Sequence, residues 1–86
     1  MEMISTNSER VDEQVKVVTA FTSKPTPLLL EWRGRRIAVK RVNLYFQKKV
    51  GQRLFYYFYV SDTSDNGYKL CFDTESLNWR LEEVTS

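Results

Sequence analysis

A chain of 86 residues with one cysteine, no histidine and a net charge of +2 has room for one small domain. It cannot form an internal disulfide or supply the roughly four N or S ligands of a zinc site. It also lacks the histidine base of most nucleophilic enzymes, and three isolated glycines make no phosphate-binding loop.

The charge is strongly sorted along the chain. Residues 1–31 hold five acids and three bases, and residues 62–86 hold six acids and two bases. Residues 32–61 hold eight bases and no acid. Acidic and basic strands that pair antiparallel would satisfy part of this pattern locally. A basic patch aimed at a partner would satisfy the rest. The lone Cys71 predicts a reducing, cytoplasmic compartment. Residues 1–10 have no apolar run of the secretory kind, and no segment approaches the roughly 20 apolar residues of a membrane span.

Residues 1–12 are polar and read as a flexible N-terminal lead-in, with a single β domain over 13–86. Residues 15–22 alternate as a strand with Val15, Val17, Thr19 and Phe21 on one face. A helix over 8–22 competes, because Ser8 can cap it and Val11, Val15 and Val18 keep helical spacing. The density of β-branched residues favours the strand. Lys24-Pro25-Thr26-Pro27 interrupts regular structure. Residues 28–33 then form a strand with Leu28, Leu30 and Trp32 inward, and Gly34 allows a sharp turn.

The next run shows a slip of phase. Ile37 and Val39 alternate, then Val42, Leu44 and Phe46 continue with the opposite parity. Strand side chains alternate with period two, so a bulge or bend is predicted near Lys40-Arg41. Gly51 turns the chain. Residues 54–60 are apolar or aromatic throughout, with Leu54, Tyr56, Phe58 and Val60 on one face and Phe55, Tyr57 and Tyr59 on the other. Asn66-Gly67 marks a turn. Tyr68, Leu70 and Phe72 alternate with Lys69, Cys71 and Asp73, and Leu77, Trp79 and Leu81 form the last inward face. The expected fold is all-β, with about six strands in a highly twisted antiparallel sheet or small, partly open barrel. Its expected core is Leu30, Trp32, Ile37, Val39, Val42, Phe58, Leu70, Phe72, Trp79 and Leu81.

The pattern Pro27-x-x-Leu30-x-Trp32-x-Gly34-x-x-Ile37-x-Val39-x-x-Val42, then Tyr57-x-Tyr59-Val60, Leu70-x-Phe72-Asp73 and Trp79-x-Leu81-x-x-Val84, resembles a family of small bacterial proteins of unknown function. That family shares a Pro-x-x-Phe-x-Trp-x-Gly segment, a Tyr-x-Val pair, a Tyr-Asp pair and a terminal Trp-x-Leu. The pattern is also similar to a C-terminal module of mutagenesis proteins related to translesion polymerases. The resemblance covers about residues 13–84. The family usually has a tryptophan shortly after the Val42 position, where this chain has Leu44, Tyr45 and Phe46. The resemblance implies a β fold and a bacterial setting, and carries no catalytic residue.

Candidate chemistry is sparse. Asp62, Asp65 and Asp73 sit where turns favour aspartate, and Cys71 falls in strand alternation without a helix N-terminus to activate it. No catalytic residue, cofactor or metal is expected. The face opposite the core should carry Arg36, Lys40, Arg41, Tyr45, Arg53, Phe55, Tyr57 and Tyr59. Such a mixture suits a protein partner or a second copy of the chain, because Tyr, Phe and Arg are enriched at interfaces. It also suits single-stranded nucleic acid, with bases stacked on the rings and phosphates tracked by Arg and Lys. The first expectation is a non-enzymatic protein-interaction or self-associating module. The alternative is a nucleic-acid accessory domain linked to repair or mutagenesis.

Overall fold

The computed structural model describes residues 7–86. Seven strands follow one another: β1 (Ser8–Phe21), β2 (Pro25–Trp32), β3 (Arg35–Ala38), β4 (Arg41–Val50), β5 (Arg53–Ser61), β6 (Gly67–Asp73) and β7 (Trp79–Thr85). All pairings are antiparallel. They form one sheet in the order β3-β2-β1-β7-β6-β5-β4. Among the described residues there is no helix, and hence none long and apolar enough to cross a membrane.

Two features curl this sheet without closing it into a barrel. The first is β1, which is shared: residues 8–15 pair with β7, and residues 16–21 pair with β2. The second is the joint between the two edge strands. Only Val39 and Lys40 separate β3 from β4. The Val39 N–H donates to the Leu28 carbonyl of β2 at 2.9 Å, and the next N–H, of Lys40, donates to the Ser61 carbonyl of β5 at 2.8 Å. Successive amides therefore hold opposite ends of the sheet, and the two portions enclose one core.

That core joins Leu30, Trp32 and Ile37 from β2 and β3 to Phe58, Val60, Leu70, Phe72, Trp79 and Leu81, with Val15 and Tyr68. Trp79 packs on Phe72 and Phe58 with ring centroids 4.9 and 5.6 Å away. Its indole N–H donates to the Thr19 hydroxyl at 3.0 Å. The Trp32 N–H donates to Glu13 at 3.0 Å, and Glu13 also accepts from Arg33 at 2.7 Å. Each buried indole contributes about 4–6 kcal/mol of apolar burial before conformational entropy is subtracted. Both polar ends are satisfied, so neither offsets that gain.

The sequence expectation of an all-β antiparallel sheet holds, with seven strands in place of about six. The extra strand arises because the predicted bend divides residues 35–50 into β3 and β4. Four details are corrected. Residues 8–12, expected in a mobile lead-in, lie in β1, where residues 8–10 pair with β7; residues 1–6 of that lead-in lie outside the described residues. Pro25 and Pro27 belong to β2, over a stretch where only β1 flanks it, so their missing N–H groups interrupt no second ladder. Leu28 is exposed: Val18 pairs with Leu29 and Thr19 with Pro27, leaving Leu28 as the extra residue of a bulge. Leu77, at φ +62°, lies in the turn before β7 and is 66 % exposed.

Candidate binding surface

The outer face of β4, β5 and β6 is set by register. Phe46 lies opposite Tyr57 and Leu44 opposite Tyr59, while Tyr45 lies opposite the buried Phe58. A second bulge causes this arrangement. Val42 pairs with Val60 and Leu44 with Tyr59, so Asn43 is an extra residue with no partner of its own. Side chains on either side of it therefore fall on opposite faces. Val42 keeps the core parity of Val60 yet remains 38 % exposed at the start of β4. Leu44 and Phe46 are turned outward, 53 % and 37 % exposed. The expectation that Val42 is buried and shares one face with Leu44 and Phe46 is thus corrected.

The bend and this bulge together redistribute the eight residues expected on one binding face. Phe55, Tyr57 and Tyr59 share the outer face of β5, with Arg53 and Arg41 at its two ends. Tyr45 does not join them. Its ring packs on Phe58 and Tyr56 of the core side, at 5.1 and 5.9 Å, under the Lys24 ammonium. Arg36 lies on β3 opposite Glu31, beside Lys16 and Arg33, in an open groove of the β1–β2–β3 portion. Lys40 occupies the bend itself, exposed. The structure therefore brings five of the eight together and sends Arg36, Lys40 and Tyr45 elsewhere.

Within the outer face the rings are ordered against one another. Phe46 and Tyr57 stack at 4.9 Å with planes 6° apart, and Phe46 lies 6.4 Å from Tyr59. Lys69, opposite Tyr59 on β6, holds its ammonium 5.5 Å from the centres of both Tyr57 and Tyr59. The same ammonium pairs with Glu82 at 3.4 Å. Burial works against its charge, but the Tyr59 hydroxyl and Glu82 outweigh that penalty and raise its pKa. Burial and the neighbouring Cys71 thiol push the Tyr57 hydroxyl up to about 12. The Cys71 thiol is itself raised by burial, which keeps it protonated and unreactive.

Sequence reasoning passed over Lys69, Glu82, Leu44 and Phe46. A single lysine between apolar residues carries no signal until the register sets it across from Tyr59.

Arg53 is not a free cation. It donates to Asp73 at 2.8 and 3.4 Å and lies 3.5 Å from Glu75. The guanidinium, followed by the backbone N–H groups of Glu75 and Ser76, holds the Asp73 carboxyl down to about 2. Arg41, Lys48 and Lys49 of β4 have no ion-pair partner among the described residues. Two shallow depressions, of about 230 and 300 Å³, flank the face. Both are at or below the lower end of small-molecule sites, roughly 300–1,000 Å³.

Asp62 is the buried charged side chain of the described residues. It accepts the Tyr68 hydroxyl at 2.7 Å, the Ser64 and Asn66 N–H groups at 2.8 and 3.0 Å, and the Asn66 side-chain amide at 3.1 Å. Burial opposes its charge, but these bonds prevail and lower its pKa. Every lone pair is engaged in closing the β5–β6 loop, so this carboxylate is a clasp and has no spare capacity for acid–base work.

Comparison of the chain with family models, with curated proteins and with solved structures finds no match.

Proposed function

We propose that this domain is a non-enzymatic protein-interaction module that binds through the outer face of β4 and β5. One observation carries the reading: Leu44 and Phe46 stand outward beside Tyr57 and Tyr59 on the edge strand of the sheet. An exposed apolar and aromatic patch rimmed by bases is the composition that protein interfaces favour. The mutual stacking favours a protein over single-stranded nucleic acid. Phe46 and Tyr57 cover one another, and Lys69 lies over Tyr57 and Tyr59. Bases stack on free ring faces, and here the Phe46–Tyr57 stack takes one face of each ring while Lys69 competes for Tyr57 and Tyr59. Aliphatic side chains need only the exposed edges.

A photo-crosslinking residue replacing Leu44 tests the reading in cells, with Lys16 on the β1–β2–β3 portion as the control position. Crosslinks to protein at position 44, absent at 16 and abolished by Phe46→Ser, are expected. Crosslinks to nucleic acid at 44 would transfer the reading to the nucleic-acid alternative. Equal crosslinking at both positions would overturn the assignment of this face.

A further inference from the structure

We propose that the open edge of β4 receives an extended acidic peptide as an added strand, with apolar side chains of the peptide lying against Leu44 and Phe46. This rests on the protein-interaction reading above and names its geometry and the chemistry of its partner.

The edge is unusually open. β4 runs for ten residues and pairs, among the described residues, only with β5. Its backbone groups on the far side have no strand partner. Nine of its ten residues are exposed, with Tyr45 the exception. Half of the exposed large apolar side chains among the described residues lie on it: Val42, Leu44, Phe46 and Val50. A long, exposed, apolar edge strand is a template for another strand. Strand addition takes its affinity from main-chain hydrogen bonds and its specificity from alternate side chains.

Charge selects the occupant. β4 carries Arg41, Lys48 and Lys49 and no acid. The strand at the other end of the sheet order, β3, carries Arg35 and Arg36 and no acid. Set β4 to β4 or β3 to β4, a second copy brings a basic edge against a basic edge, and like charges opposite one another across strands are destabilising. β3 is also four residues long, too short to hold much of an added strand. An acidic peptide meets the opposite condition on β4: each base gains a carboxylate across the strand.

The test uses a peptide with valines opposite Leu44 and Phe46, glutamates opposite Arg41, Lys48 and Lys49, and threonine elsewhere, the same peptide with lysine for glutamate, and this valine–glutamate peptide N-methylated at alternate residues. Amide shifts and hydrogen exchange of the labelled protein are read residue by residue. The valine–glutamate peptide should bind about ten-fold tighter than the lysine peptide, from roughly three reversed cross-strand charge pairs. Its binding should slow exchange of β4 amides. N-methylation on the edge-facing side should abolish binding, because the donors are gone while charge is kept. Lys48→Glu with Lys49→Glu should reverse the preference, and Arg36→Glu should leave it unchanged.

Shifts at Phe46 and Tyr57 with unprotected β4 amides, or equal binding by the N-methylated peptide, would overturn strand addition and leave the outer face as the binding surface. Shifts confined to residues 33–36 would overturn both. Dimerisation of the parent by sedimentation, with β4 protected and no peptide present, would overturn the charge argument.

Discussion

Asp62 offers the sharpest test of the fold. In Asp62→Ala the Tyr68 hydroxyl, buried in the core, loses its acceptor at 2.7 Å. A buried donor left unpaired costs about 1–3 kcal/mol, and hydrogen bonds to a charged group contribute about 1.5–3 kcal/mol. Ser64 is exposed and Asn66 half-buried, so their freed donors turn largely to water. The net loss should be about 3 kcal/mol, out of roughly 4–13 kcal/mol for a domain of this size. Thermal unfolding followed by circular dichroism should show a fall of about 12–24 °C. Tyr68→Phe alone should cost about 1 kcal/mol, and the double variant should reveal a coupling of about 1–2 kcal/mol. The pH dependence follows from the lowered carboxyl pKa. Its contribution is fully present above the unfolded value near 4 and is lost as pH falls through the lower folded value. The gap between the parent and Asp62→Asn should therefore close towards acid. Asp73 titrates in both proteins and cancels in that difference. A gap that stays constant from neutral pH to about 2.5, or an alanine variant that melts with the parent, would refute the clasp.

Trp79→Ala should cost about 3–5 kcal/mol by urea unfolding, because it empties the space between Phe58, Phe72 and Thr19, and Trp79→Phe should cost less, having kept a ring there. Phe46→Ser should change stability by less than about 1 kcal/mol, since the side chain is already exposed, while abolishing crosslinking from position 44. Gly51→Ala should cost about 1 kcal/mol in the same melts: no atom lies within 4 Å of an added Cβ, and the whole penalty comes from φ +64°. Asp73→Asn should flatten the acid limb of the stability profile, because the contribution of this carboxylate is present above an unfolded value near 4 and is lost as pH falls through about 2.

Period-two alternation made most of the core legible. Phe58, Leu70, Phe72, Trp79 and Leu81 are buried where their strands' apolar parity puts them. The bend after Val39 was also legible, since Ile37 and Val39 cannot share a regular strand face with Val42. The bulge at Asn43 was not. Val42, Leu44 and Phe46 keep perfect alternation in the sequence, and nothing about an asparagine between them marks it as the residue without a partner. One extra residue inverted the face of everything after it. It exposed Leu44 and Phe46 and buried one side of Tyr45, and so the apolar half of the candidate surface escaped notice while its basic ends were found. Lys69 escaped for a related reason: its meaning is a cross-strand distance to Tyr57 and Tyr59, which register fixes and local sequence does not. Leu77 was misjudged because apolar spacing cannot reveal a left-handed backbone in the preceding turn.

The sorting of charge along the chain becomes a sorting across the sheet. Residues 32–61 hold all eight bases of the acid-free stretch, and they supply both edges, β3 and β4. The acidic termini supply β1 and β7, which lie side by side at the centre. Cross-strand neutralisation accounts for only part of this. Of the eight bases, Arg33 pairs with Glu13 and Arg53 with Asp73 and Glu75; the other six have no ion-pair partner among the described residues. Five of those six, Arg35, Arg36, Arg41, Lys48 and Lys49, stand on the edge strands. Bases on an open edge keep identical edges apart. That protection matters most on β4, where Leu44, Phe46 and Val50 would otherwise invite another copy. The device is selective, because it repels a basic strand and attracts an acidic one. The charge pattern that keeps two β4 edges apart is the same pattern that would admit a strand of opposite sign.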